Sequence, residues 1–170
     1  MNCSRCGGPL KVVREDYNYN ECGLDDVLLV NVKMRHCASC GDRSPVLGSI
    51  EELHTVIARQ LALKKSLLTG KEIRFLRKYL GYSAADYARQ VGVTPETISR
   101  WENEKLEMAW TNELLLRVTV VLRERLATYE SKPPEESSES PLKRFEGVNK
   151  GVRGPKPVRL DMGVLGHQAA

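Results

Sequence analysis

The sequence lacks any apolar run approaching the roughly 18 residues that would suggest a membrane span. Its first residues, MNCSRCGG, carry no apolar core of the signal-peptide kind. Export is therefore not expected, and the cytoplasm is the expected compartment. Two Phe and two Trp exclude a large aromatic core. The three His are scattered at 36, 54 and 167. Neither a Ser/His/Asp set, nor a paired-carboxylate motif, nor a phosphate loop is present, so an enzyme is not expected. No internal repeat of about 20–50 residues is evident. Large size is missing too: 170 residues allow one or two small domains. The charge excess is slight, 26 Lys plus Arg against 22 Asp plus Glu, a formal +4. That excess does not identify a nucleic-acid binder by itself; its distribution matters more.

What is present begins with cysteine. All five Cys lie in residues 1–45. Cys3 and Cys6 form one CxxC, Cys37 and Cys40 a second, and Gly7 and Gly41 follow the pairs. A CxxC turn lets two thiolates face one metal, and the following Gly relieves crowding in the tight turn. Two such knuckles supply a sulfur tetrahedron that suits one structural Zn2+ per chain. With every position filled by sulfur, none is left for water or substrate. Thirty residues separate Cys6 from Cys37, so the insert needs structure. Leu28, Val30, Val32 and Met34 alternate with Leu29, Asn31, Lys33 and Arg35, which predicts a strand, and residues 10–13 offer a second. A segment of this size barely holds together by apolar burial, so metal would supply the missing folding free energy. Four thiolates and Zn2+ would lower the formal charge from +4 to about +2. The competing readings are redox CxxC pairs, inert thiols, or a rubredoxin-like iron site with the same ligands. Cys22 has no CxxC partner and reads as a bystander. His36 adjoins Cys37 and reads as a surface residue, with ligand replacement as the alternative.

Residues 49–68 read as a connecting helix, opened by the Ser49/Glu52 capping-box pattern and carrying Leu53, Val56, Ile57 and Leu61 at helical steps. Thr69 and Glu72 form another box ahead of Ile73, Leu76 and Leu80, and Gly81 ends that helix. Ser83 caps the next, with Asp86 at its third position and Tyr87, Ala88 and Val91 on one face. Gly92-Val93 makes a turn, Thr94 caps a third helix and Pro95 occupies its first position. Ile98 and Trp101 share its apolar face, so Trp101 reads as core rather than a base-stacking residue. Two short helices joined by a Gly-containing turn form a unit whose second helix enters the DNA major groove. Residues 111–128 read as a further helix with Leu114, Leu115, Val118, Val121, Leu122 and Leu126 on one side, widened by Leu116 and Val120. A domain of about 60 residues does not easily cover that surface. A two-fold dimer and tight intramolecular packing are both open.

Residues 131–170 change character, with Pro, Ser, Gly and charge dominating and no helical or strand periodicity. Disorder is expected there. Residues 143–159 hold six basic residues against Glu146, a charge of +5, so the rest of the chain sums to −1. A solubilising tail and an arm that adds phosphate contacts both fit.

The fold class expected is α+β. A small zinc-bound β-containing domain at 1–48 is followed by a linker helix at 49–68. An all-α helix-turn-helix domain at 69–128 and a disordered basic tail at 129–170 complete the chain.

The wording EIRFLRKYLG…SAADYARQVGVTPETISRWENEK resembles the Xre/Cro-type repressor domain, and CSRCGG with CASCG resembles the YgiT-type zinc finger. In this order the pair is similar to the MqsA family of type II antitoxins and their unpaired relatives. The resemblance covers the zinc knuckles and about 69–122, not the tail after about 130. It implies base contacts from Pro95, Glu96 and Arg100. Arg100 can pair bidentately with guanine, and Glu96 departs from the family's amide. It leaves Thr94, Thr97 and Ser99 to bind phosphate or cap the helix. Ala84 stands where phage repressors carry Gln, so Ser83 or the backbone N–H groups serve there instead. It also implies a structural ion pair, Arg77 with Glu102, with Arg77 on DNA as the alternative. Lys71, Lys78 and Arg89 read as helix-surface charges. The implied partners are double-stranded DNA, a second copy of the chain, and an RNA-cleaving toxin bound through the zinc domain. The alternative function is a stand-alone zinc-containing regulator or adaptor answering another protein or ligand.

Overall fold

The computed structural model describes residues 1–131, 149–153 and 157–162. The elements in chain order are β1 (Leu10–Asn18), β2 (Val27–Cys37), β3 (Arg43–Pro45), α1 (Ile50–Leu63), β4 (Ser66–Leu67), α2 (Gly70–Tyr79), α3 (Ala84–Val91), α4 (Pro95–Glu102), α5 (Trp110–Ser131), β5 (Asn149–Arg153) and β6 (Val158–Asp161). The fold is mixed α+β. Two bodies make it up: one of residues 1–21, 25–53 and the chain from Pro157, the other of 22–24 and 54–156. No helix among the described residues is long and apolar enough to cross a membrane.

The first body is built on β2. Strand β1 pairs antiparallel along it, from Leu10 opposite Cys37 to Asn18 opposite Leu28. On the other edge β3 pairs antiparallel with Met34–His36, and β6 pairs parallel with Val27–Val30. The strict alternation expected for β2 is broken. Val27 and Leu29 are buried, and so are Val32 and Met34, a change of phase between 29 and 32. The register with β1 shifts at the same place, where Glu15 pairs Val32 and Tyr17 pairs Leu29. Asn31 sits in this bulge at φ 61, a left-handed conformation that Asn tolerates better than most residues. Its backbone is held on both sides: the Arg14 guanidinium donates to its carbonyl at 3.1 Å, and its N–H donates to the Asp16 carboxylate at 3.2 Å. Asn31→Val should cost about 1–3 kcal/mol from forcing a β-branched residue into that region, whereas Asn31→Gly should be tolerated. Urea unfolding of the two variants checks this; equal stabilities would remove the bulge from the account.

The second body has α1 entering it. The helix stops at Leu63 instead of running to 68, and Ser66–Leu67 follow as a short strand. The reason lies on α5. Arg117 is fully buried and donates to the carbonyls of Leu61, Ala62, Lys64 and Ser66 at 2.7–3.3 Å. Those carbonyls lose their continuation in the helix and find it in a guanidinium. The same Arg117 is paired with Glu113 at 2.7 Å, and Glu113 accepts from the Leu68 N–H at 3.1 Å.

Helix α5 therefore turns a different side inward from the one its apolar residues suggest. Glu113, Leu116, Arg117, Val120 and Val121 are buried, while Leu115 and Leu122 are 48% and 42% exposed. Ile57, Leu68, Ile73, Leu76 and Ile98 complete the core at 0% exposure, each worth about 1.5–3 kcal/mol of burial.

The expectation of a strandless tail needs correcting in its described parts. Strand β5 pairs parallel with β4, and β6 joins the first sheet. In β6, Leu160 is 5% exposed between exposed Arg159 and Asp161, a short alternation that the surrounding Pro and Gly obscure. Residues 132–148, 154–156 and 163–170 lie outside the described residues, and the expectation of disorder falls on them otherwise.

Candidate metal centre and candidate nucleic-acid interface

The two CxxC turns lie at the ends of paired strands. Leu10, just after the first turn, is opposite Cys37, which starts the second. Each turn closes on itself: the Gly7 N–H donates to the Cys3 carbonyl at 2.9 Å and the Gly41 N–H to the Cys37 carbonyl at 3.0 Å. Gly7 and Gly41 adopt φ 73 and φ 71, the left-handed region that glycine enters without a Cβ clash. The result gathers the sulfurs of Cys3, Cys6, Cys37 and Cys40 within 4.8 Å of one another. Cys3 and Cys40 sulfurs are 3.8 Å apart, Cys6 and Cys37 sulfurs 3.4 Å. A tetrahedral site with Zn–S near 2.3 Å places its sulfurs about 3.8 Å apart, so the four residues fit a metal ion.

The electrostatics agree with a cation site. The Cys40 backbone N–H, outweighing burial and joined by the Cys6 thiol, brings the Cys37 thiol down to about 6. The Gly8 N–H favours the Cys6 thiolate, but hydrogen bonds with Cys37 and Cys40, with desolvation, push Cys6 up to about 12. Cys40 is also raised, against the pull of the Asp42 N–H. The Cys37 thiol ionises readily while those of Cys6 and Cys40 resist, and a cation among them would remove that resistance. Cys22 is not part of the set. His36 is not either: its Nε2 lies 3.1 Å from Glu15 Oε1 and 3.4 Å from Arg43 Nε. Arg43, then His36, hold the Glu15 carboxyl below its usual range.

The second body presents the paired helices. Thr69 and Glu72 make both bonds of a capping box at the start of α2. Ser83 Oγ accepts from the Asp86 N–H at 3.1 Å and starts α3. Ser83, then Arg89, hold the Asp86 carboxyl below its usual range. Gly92 ends α3 at φ 70, and the turn reaches Thr94, whose side chain accepts from the Thr97 N–H at 3.3 Å. Pro95 then occupies the first turn of α4.

Ile98 and Trp101 are buried and fix which face of α4 points inward. Pro95, Glu96, Ser99 and Arg100 are exposed, and Thr97 is half-buried. Thr94 and Thr97 are engaged with each other at 3.2 Å. Ser99 pairs toward the helix end, where Asn103 Nδ2 reaches its hydroxyl at 3.3 Å and its carbonyl at 2.7 Å. Glu96 turns back on its own helix: its backbone N–H, then the Thr94 hydroxyl, with the Arg100 charge, lower its carboxyl. The Arg100 carbonyl accepts from the Lys105 and Leu106 N–H groups, while its side chain, whose charge acts on Glu96, makes no hydrogen bond or ion pair among the described residues, so its guanidinium fork is open to a ligand.

Arg77 donates to Glu102 Oε1 at 2.6 Å and to the Tyr82 carbonyl at 2.7 Å, tying α2 to α4. Its side chain is 7% exposed, out of reach of a surface ligand. Sequence reasoning missed the third member, Arg74, which donates to Glu102 Oε2 at 2.9 Å. The signal was its spacing, three residues before Arg77 on the same helical face. Sequence reasoning also missed Glu113 and Arg117, whose i,i+4 spacing was visible but whose burial was not.

The family model described as helix-turn-helix matches residues 73–118, less than half of the chain. The matched stretch runs from α2 into α5 and includes α3, its turn and α4. With the exposed face of α4, the match supports a DNA-binding transcriptional regulator. Comparison with curated proteins and with solved structures gave no match.

Proposed function

We propose that this chain is a sequence-specific, Xre-type DNA-binding repressor, held in its N-terminal body by one structural Zn2+, and that it serves as the antitoxin of a type II pair. The observation that carries the DNA reading is Arg100. It is an exposed guanidinium whose side chain makes no hydrogen bond or ion pair among the described residues, on the outer face of a helix capped at Thr94. Such a fork can take guanine O6 and N7 together. Glu96, drawn back to the helix N-terminus, acts first as a cap and sets the charge beside Arg100. Leu115 and Leu122, exposed on α5, support a two-fold dimer that would cover them. Such a dimer presents two α4 helices to half-sites about one DNA turn apart. The role is recognition without catalysis, in the cytoplasm. An RNA-cleaving toxin bound through the N-terminal body completes the antitoxin reading, which rests on the resemblance of the cysteine knuckles.

The test is a gel-shift and pull-down with the purified chain, its upstream DNA and the product of the adjacent reading frame. Binding to both supports the antitoxin. Binding to DNA alone leaves a stand-alone zinc-containing regulator. Arg100→Ala should weaken specific binding by about 1–3 kcal/mol per half-site while non-specific binding changes little. Unchanged operator affinity would move base recognition away from α4.

A further inference from the structure

The sheet of the first body is completed by a strand from the far end of the sequence. Val158–Asp161 lies parallel to Val27–Val30, with Val158 opposite Val27 and Leu160 opposite Leu29. The Val158 N–H donates to the Asp26 carbonyl at 2.8 Å. Paired residues of neighbouring strands share a face. Val158 and Leu160 thus lie on the face of Val27 and Leu29, which are 1% and 0% exposed. Leu160 is itself 5% exposed and is the anchor; Arg159 and Asp161 are exposed. The rest of that β2 edge is already used. Strand β3 takes Met34–His36, and the Val46 N–H donates to the Lys33 carbonyl at 2.7 Å. What remains is a short stretch of backbone with a place for one leucine. Strand addition of this kind draws affinity from main-chain hydrogen bonds and selectivity from alternate side chains. The attachment is short, four residues, and joins parts of the chain far apart in sequence, whose loop-closure entropy opposes it.

We propose that the Val27–Val30 edge is a peptide-acceptor site for an extended segment of the pattern valine–basic–leucine–acidic, and that residues 157–162 are its resident, displaceable occupant. A protein partner that presents such a strand must first release this segment. The tail thereby competes, within the same chain, for the edge by which the N-terminal body takes a strand.

The probe is a fluorescein-labelled peptide of the sequence PVRLDM, offered to the full-length chain. Leu160→Asp should expose the edge. The peptide should then bind this variant at least tenfold more tightly than wild type, and a peptide with Asp in place of its Leu should not bind. Amide exchange along Val27–Val30 should quicken at least tenfold in the variant and return with peptide. A second form keeps Leu160 and carries a protease site in place of Gly154–Lys156. After cleavage of the folded chain, the fragment from Pro157 should exchange against added peptide. A fragment that stays bound against excess peptide would make β6 a permanent strand and overturn the proposal. So would a Leu160→Asp variant with unchanged amide exchange. A wild-type dimer abolished by Leu160→Asp would assign the strand to a second copy and overturn the in-cis occupancy.

Discussion

If the four sulfurs hold a structural metal, Cys3→Ser is expected to abolish its binding and unfold the N-terminal body while leaving the helical body folded. Cys3 is 4% exposed, and its sulfur lies 3.8 Å from that of Cys40. A serine there removes one ligand and places a poorer one in the same buried position. Structural Zn2+ in small domains contributes about 10–16 kcal/mol of apparent binding free energy at neutral pH. A small body whose core is Tyr19, Val27, Leu29, Val32, Met34, Leu53 and Leu160 has no comparable reserve. Metal content measured on the purified variant, with far-ultraviolet circular dichroism, reads the result. A chelator added to the wild-type chain should produce the same loss of β signal. A folded, metal-free Cys3→Ser protein would end the structural-metal reading.

Arg117→Ala should produce the other large loss, this time in the helical body. The pair with Glu113 is at 0% exposure on both sides, and the guanidinium also serves four backbone carbonyls. Removing it strands a buried carboxylate, which costs about 3–5 kcal/mol. For a body of this size, that corresponds to a fall in Tm of more than about 10 °C. The double variant Glu113→Leu/Arg117→Met separates two causes. If charge alone matters, replacing both partners by apolar residues restores stability. If the carbonyls of Leu61, Ala62, Lys64 and Ser66 matter as well, recovery is partial, because they lose the guanidinium donor. Urea denaturation of both variants gives the numbers; a single-variant loss below about 1 kcal/mol would show that the site relaxes and admits water.

Local signals in the sequence reached the structure well. Thr69 with Glu72, Ser83 with Asp86, and Thr94 with Pro95 mark the starts of α2, α3 and α4 where the caps form. Gly81 and Gly92 mark the helix ends with positive φ. Such features depend on residues within one turn of each other, so spacing suffices to read them. The cysteine pattern was legible for the same reason: each CxxC is a local turn. The convergence of the two turns also needed a strand pair, which the sequence suggested from residues 10–13 and 28–35; the pairing of β1 with β2 supplies it, and what was not read is its full length and its bulge.

Burial was read less well. In α5 the leucines drew attention to one side of the helix, but the inward side carries Glu113 and Arg117 among Leu116, Val120 and Val121. Spacing places 113, 116, 117, 120 and 121 on one face; it does not say that two charges on that face will be buried. Their burial is tolerable only because the ends of α1 and β4 supply carbonyls and an N–H to them, and those partners are some 50 residues away. In β2 the alternation was legible but its phase was not, since one extra residue at Asn31 reverses every side chain beyond it.

The sequence by itself determined the element starts and stops, the four-sulfur set as candidate ligands, and the two short helices joined by a Gly-containing turn, with Arg100 singled out only by the resemblance. Each follows from side chains a few residues apart. Only the tertiary structure decided that the four sulfurs meet, which face of α5 is the core face, and that Val158–Asp161 belongs to a sheet begun near the other end of the chain. Those outcomes depend on register and desolvation between distant segments. A buried arginine or a four-residue strand is favourable only once its partners are already in place.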